Sequence, residues 1–190
     1  GIERANICIR GLRAYGDVAN NPELAQLLGE ALTLRAFIYF DLIKAWGDVP
    51  ARFEPLSTES LYIPKSDRDV IYKQIIADLE ESANLVPWPK ETPATRTTER
   101  VNKAFVKGFL ARVALHAGGY SQRPDGTIRL SNDPALERVA MYTKAKNAAL
   151  EVINSQTSVL GGFEQNFRRL CEENNAAGFE SLYELPFSEG

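Results

Sequence analysis

Apolar positions along this chain recur at the spacing of helices and almost nowhere at the alternation of strands. The longest periodic segment runs from Pro22 to Trp46. Leu27, Ala31, Leu34, Ile38, Leu42 and Ala45 mark one face of it, and Ala36, Phe40, Ile43 and Trp46 mark a second. A helix that is apolar on two sides belongs between neighbours. Its ends are signalled as well. Asn21 is a good N-cap, Pro22 suits the first helical position, Glu23 complements the positive end of the dipole, and Gly47 followed by Pro50 stops the helix. Ile2 to Tyr15 reads as a shorter amphipathic helix stopped by Gly16. A third helix is predicted over Asp67 to Val86, capped by Ser66 and closed by Pro87, with Ile71, Ile75, Leu79 and Ala83 as its stripe. A fourth spans Lys103 to Ala117 between the cap Asn102 and the terminators Gly118-Gly119. A fifth starts after Asp133-Pro134 and ends near Asn154, burying Leu136, Ala145, Ala149, Val152 and Ile153. A short sixth lies near Glu164 to Glu173, and Leu182 to Phe187 has strand character that Pro186 would hold to an edge. From these patterns Leu34, Ile38, Leu42, Leu79, Leu110 and Ile153 are expected in the core.

Three connections are long: Val49 to Ser66, Pro87 to Val101, and Tyr120 to Asp133, the last with the turn signal Pro124-Asp125-Gly126. A weak internal repeat relates the helices. Ala36-Phe37 to Trp46-Gly47 aligns with Gly108-Phe109 to Gly118-Gly119, and Tyr72 to Asn84 aligns with Tyr142 to Asn154. These offsets of about 70 residues are close to twice the roughly 34-residue tetratricopeptide period. The predicted fold class is therefore all-α, with stacked, tetratricopeptide-like helix hairpins and at most one short edge strand near the C-terminus.

Composition narrows the chemistry. A net charge of −3 and a pI near 5.4 argue against a nucleic-acid surface, which is normally basic. No apolar run approaches the roughly 18 residues that cross a bilayer. Cys8 and Cys171 could be bridged or free, and spacing does not decide between them. With one histidine, His116, and no CxxC, neither a Cys/His metal site nor a Ser-His-Asp triad is expected, and no cofactor is implied. Glu80-Glu81 and Glu172-Glu173 are adjacent in sequence and would diverge on a helix, the opposite of two carboxylates flanking one glycosidic bond. No enzyme is expected.

The segments Gly29-Glu30-Ala31, Leu34-Arg35-Ala36-Phe37, Tyr39-Phe40-Asp41-Leu42 and Trp46-Gly47-Asp48-Val49-Pro50 together resemble a hallmark of SusD/RagB proteins. Arg68-Asp69-Val70-Ile71-Tyr72, Arg100-Val101-Asn102-Lys103-Ala104 and the later Glu180-Ser181, Tyr183-Glu184 and Phe187 are similar to further family segments, in the family's order. Phe105, where a small residue is more usual, is a minor departure. The resemblance implies that residues 1–190 are a SusD-like helical-repeat domain of a longer protein. That protein would be a surface-exposed outer-membrane lipoprotein, its lipid anchor outside this sequence, which binds a glycan and partners a SusC-like TonB-dependent transporter. A tetratricopeptide-type adaptor that binds a protein or peptide is the alternative.

A glycan site needs flat aromatic faces for sugar C–H groups and polar neighbours for hydroxyls; weak single contacts suffice on a polymer. The candidate ligand contacts are Trp88 and Arg96 in the second long connection, and Tyr62 and Tyr120 in or beside the other two. Trp46 and His116 are read as packing residues, and Glu30, Arg35 and Asp41 as charges that orient neighbouring segments.

Overall fold

A computed structural model describes residues 1–172 and 174–185. Among these residues six helices carry the chain: α1 (Ile2–Tyr15), α2 (Pro22–Trp46), α3 (Arg68–Leu85), α4 (Lys103–Ala117), α5 (Arg138–Ser155) and α6 (Phe163–Cys171). Helices α1 to α5 pack in sequence order, each antiparallel to the one before it. Both α3 and α5 have 18 residues and begin at equivalent positions, Arg68 and Arg138.

The caps follow local chemistry. Asn21 accepts hydrogen bonds from the backbone N–H groups of Glu23 and Leu24, and Asn102 accepts one from Phe105. Helix α3 is capped by Asp67 and not by the expected Ser66, whose backbone instead pairs with Val49. Helix α5 starts later than expected: a 3-10 turn (Pro134–Leu136) precedes it, and Glu137 caps Ala140. At Gly47 the φ of 73° is left-handed, and the Arg68 guanidinium occupies the space a Cβ would take. Asp48 meanwhile accepts from the N–H and Nε of that same Arg68.

The core runs through α2, α3, α4 and α5, around Phe40, Ile71, Ile75, Leu79, Val106, Phe109 and Val113. Leu79 and Leu110 are buried as expected, and Ile38 and Leu42 are half-buried. Three expectations need correction. The buried stripe of α2 is Leu28, Leu32, Arg35, Tyr39 and Ile43, whereas Leu34 is 38% exposed. A charge in the middle of the true stripe disguises it, so a purely apolar reading selects the neighbouring face. Ile153 and Trp46 are also exposed, at 68% and 74%. Residues Leu182 to Leu185 form no strand; Glu184 N–H donates a single ladder-like bond to Thr98 O. Pro186 and Phe187, the rest of that expected strand, lie outside the described residues. The segment is fixed by packing, with the Tyr183 ring stacked on Phe105 at 4.5 Å.

Helices α2 and α3 approach closely because Gly29 has no side chain: a Cβ there would lie 2.5 Å from Val86 Cγ1. Above this contact Ser82 Oγ donates to Gly29 O and lies 2.7 Å from Thr33 Oγ1. Next to it sits the Arg35–Asp78 pair, only 3% and 1% exposed. Arg35 Nε and Nη2 donate to the two Asp78 oxygens at 2.8 and 2.7 Å, and Nη1 donates to Asn6 Oδ1 and Phe53 O.

Two stability predictions follow from this packing. Arg35→Met or Asp78→Leu alone leaves an uncompensated buried charge and should cost about 3–5 kcal/mol in chemical denaturation. The double variant should lose clearly less than the sum of the two single losses; strict additivity would show that the two groups do not act as a pair. Separately, Leu32→Ala should cost about 2–5 kcal/mol, whereas Leu34→Ala should cost less than about 1 kcal/mol. The reverse order would restore the face read from apolar spacing.

Candidate functional site

The up-down order of the helices decides which connections can share a surface. The segments 47–67 and 118–137 both lie at the C-terminal ends of α2 and α4, and the segment 86–102 lies at the opposite end. The 18 residues of α3 separate the two ends by roughly 27 Å. The structure therefore divides the four expected contact residues into two pairs, Tyr62 with Tyr120 and Trp88 with Arg96.

At the Trp88 end the connection is folded tightly on itself. Trp88 N–H donates to Glu91 Oε2 at 2.6 Å, Thr95 Oγ1 donates to Trp88 O, and Lys90 N–H donates to Thr95 O. The indole ring is half-buried, with Lys103 Nζ 5.7 Å from its centroid. The Arg96 side chain is exposed, while its carbonyl accepts from Ala177 N–H. Thr98 N–H donates to Asn175 O, and Asn102 Nδ2 donates to Leu182 O. Residues 174–184 thus lie along this connection and hold it in place. A cleft of about 570 Å³ opens beside it, lined by Pro22, Gln26, Leu85, Glu91, Thr92 and Lys103 among others.

At the other end, Tyr62 is 91% exposed and Tyr120 is 63% exposed. The connection after Tyr120 is a small hairpin, β1 (Ser121–Gln122) paired antiparallel with β2 (Ile128–Arg129), turning at Gly126 with φ 81°. It is docked on the start of α3. The Arg123 side chain, 2% exposed, donates to Asp69 at 2.8 Å, and Ser131 Oγ donates to the other Asp69 oxygen. Lys73 donates to Asp133, which holds that carboxyl below its usual range. The Arg138 guanidinium lies 4.8 Å from the Tyr120 ring centroid.

Other titrating groups do not converge. Glu80 pairs with Lys144 on α5, whereas Glu81 pairs with Arg13 on α1, so the adjacent carboxylates point to different neighbours. His116 sits at the bundle surface with its ring edge-on to Phe40 at 5.0 Å. Partial burial, then the charges of Lys44 and Arg112, hold its pKa below the ordinary histidine value. Cys8 and Cys171 are both free and exposed. No cluster of three metal-ligating side chains occurs among the described residues, nor any helix long and apolar enough to cross a membrane.

Two surfaces were not anticipated from the sequence. One is a cleft of about 430 Å³ between α6 and residues 174–184, lined by Phe163, Phe167, Leu170 and Phe179 among others. The spacing of Phe163, Phe167 and Leu170 was its legible signal, since none of the α6 residues is buried. The other is a groove across α3, α4 and α5, of about 820 Å³, lined by Asn84, Thr143 and Asn147 together with Leu110 and Met141. Its charges are paired across it, Lys144 with Glu80 and Lys107 with Glu151.

Comparison with known proteins places the chain. Residues 1–115 match the SusD-like family described as starch-binding and associating with the outer membrane. SusD-like protein P2 of Formosa agariphila is 27% identical over 189 residues, covering 98% of this chain and 32% of that protein. The chain spans between 15% and 32% of the length of the curated relatives it matches. Among solved structures, a SusD homologue from Bacteroides thetaiotaomicron has the same fold, with a TM-score of 0.77 at 19% identity, over 99% of this chain and 34% of that one. A laminarin-binding SusD-like protein is 26% identical over 62% of this chain and 24% of its own, with a TM-score of 0.52. By the family match over 1–115 and these relatives, this chain belongs to the SusD/RagB family.

Proposed function

We propose that this chain is part of a surface-exposed, outer-membrane glycan-binding lipoprotein that acts as the lid and partner of a SusC-like TonB-dependent transporter. The observation that carries this reading is the match of residues 1–115 to a family described as starch-binding and associating with the outer membrane. The likeness to a laminarin-binding relative supports an oligo- or polysaccharide ligand. Ligand contact is assigned to the aromatic and polar side chains of the interhelical connections, Trp88 and Arg96 at one end and Tyr62 and Tyr120 at the other. The role is read as binding and not turnover: Glu80 and Glu81, adjacent in sequence, are engaged with separate cations, Lys144 and Arg13.

The groove across α3, α4 and α5 favours a second reading, a tetratricopeptide-type adaptor that holds a peptide along its helices. Its cross-groove ion pairs leave little free charge to recognise a peptide, so the glycan reading is preferred.

The test is calorimetric titration of the protein with soluble polysaccharides, laminarin and starch among them. Saturable binding without release of reducing ends is expected; cleavage, or binding of peptides alone, would overturn the reading. Trp88→Ala should weaken binding by about tenfold if that ring is a stacking contact, and unchanged affinity would return Trp88 to a packing role. Affinity should change by less than about twofold between pH 6 and 8. His116 has its pKa lowered by partial burial and by Lys44 and Arg112, which favours its neutral form, and it stands apart from the candidate contact residues. The same lowering means that any stability tied to neutral His116 is lost as pH falls below the ordinary histidine value, not as it rises.

A further inference from the structure

We infer that Tyr120, Arg138 and Tyr142 form one preorganised glycan contact at the α4–α5 end, with Tyr120 as the stacking face and Arg138 as the residue that positions it. The inference rests on the glycan-binding reading above and names a site and a positioning residue within it.

Tyr120 immediately follows Gly118-Gly119, where α4 stops. A tyrosine at such a position would ordinarily sample several rotamers in water. Here the Arg138 guanidinium lies 4.8 Å from the Tyr120 ring centroid and 5.6 Å from that of Tyr142, so two aromatic rings flank one cation. Arg138 is itself fixed, its Nε–H donating to Gly118 O at 3.3 Å. Gly118 makes room for the arrangement, since a Cβ there would lie 3.2 Å from Tyr142 Cδ1 and 2.8 Å from Met141 Cβ. Despite this support, Tyr120 stays 63% exposed and Tyr142 42% exposed.

A guanidinium packed against an exposed ring favours one of its rotamers, so less freedom is lost when a ligand arrives. That is the condition under which a weak apolar contact contributes more fully to affinity. The ligand class follows from the groups presented: flat, uncharged aromatic surface for the C–H face of a pyranose, with the tyrosine hydroxyl and guanidinium N–H groups beside it for sugar hydroxyls. The other candidate aromatics lack one half of this combination. Tyr62 is almost wholly exposed within its connection, and Trp88 is half-buried.

The experiment titrates the full chain and its variants with laminarin and with soluble starch, and follows the Tyr120 ring resonances by NMR in the same samples. Tyr120→Ala and Tyr120→Leu should each weaken binding about tenfold, while Tyr120→Phe, which keeps the face, should bind nearly as the parent does. Arg138→Ala should weaken binding about threefold to tenfold, with Arg138→Lys restoring most of the loss because a cation returns to the ring. Melting temperatures identify any variant whose fold is damaged, and ligand-induced shifts of the Tyr120 ring in the unmodified chain report the contact without a substitution. If the unmodified chain binds these glycans, but the Tyr120 ring does not respond and its removal leaves affinity unchanged, this inference is overturned while the glycan reading stands. If the unmodified chain binds neither glycan, the glycan reading fails and takes the inference with it.

Discussion

A guanidinium withdrawn from water must satisfy its charge and its N–H groups within the protein, and Arg35 does so by touching three separate parts of the chain. Its fork meets both oxygens of Asp78 on α3, and its remaining nitrogen reaches Asn6 on α1 and the carbonyl of Phe53 in the α2–α3 connection. Asn6 in turn donates to the carbonyls of Arg52 and Glu54, and Gln74 donates to Asp78. A slip of α3 along α2 by one residue would strand both charges in a dry interior, which is far more costly than losing a few apolar contacts. The pair therefore acts mainly on register: it fixes how α1, α2, α3 and the long connection sit together.

The remaining helices inherit that register. The close approach of α2 and α3 at Gly29 and Ser82 sets the plane against which α4 packs, and Phe109 meets both Phe37 and Phe40 across that plane. Because each helix is antiparallel to the last, the interhelical connections fall alternately at opposite ends of the stack. A binding surface built from connections must then belong to one end or the other, unless a ligand is long enough to span the helices. The two ends differ in character. The Trp88 end is held by backbone bonds to residues 174–184, and the Tyr120 end is held by buried Arg123 against Asp69 and by the tyrosine–arginine stack.

Much of the fold was legible in the sequence. The limits of α2 and α4 follow from Asn21, Pro22, Gly47, Asn102 and Gly118, residues whose effects are local and need no tertiary partner. Family membership was equally legible, because it rests on particular side chains in a particular order. The register of burial was less so. Leu34 and Ile153 have the spacing of core residues yet face solvent, while Arg35 and Asp78, which no hydrophobic scale would place inside, are among the most buried residues of the chain.

Of the candidate site, the sequence supplied the residue types and the connections that carry them. It could not tell that Trp88 and Arg96 lie about one helix length from Tyr62 and Tyr120, nor that Arg138 backs the Tyr120 ring. The sequence by itself determined the helices, their order and the family, since capping, periodicity and turn chemistry act over a few residues. Whereas the buried stripe of α3 already followed from its spacing, the tertiary structure alone decided which face of α2 is buried and which connections are neighbours. Both depend on charge pairing and ring packing between residues more than a dozen positions apart, and such pairings leave no periodic trace in a single chain.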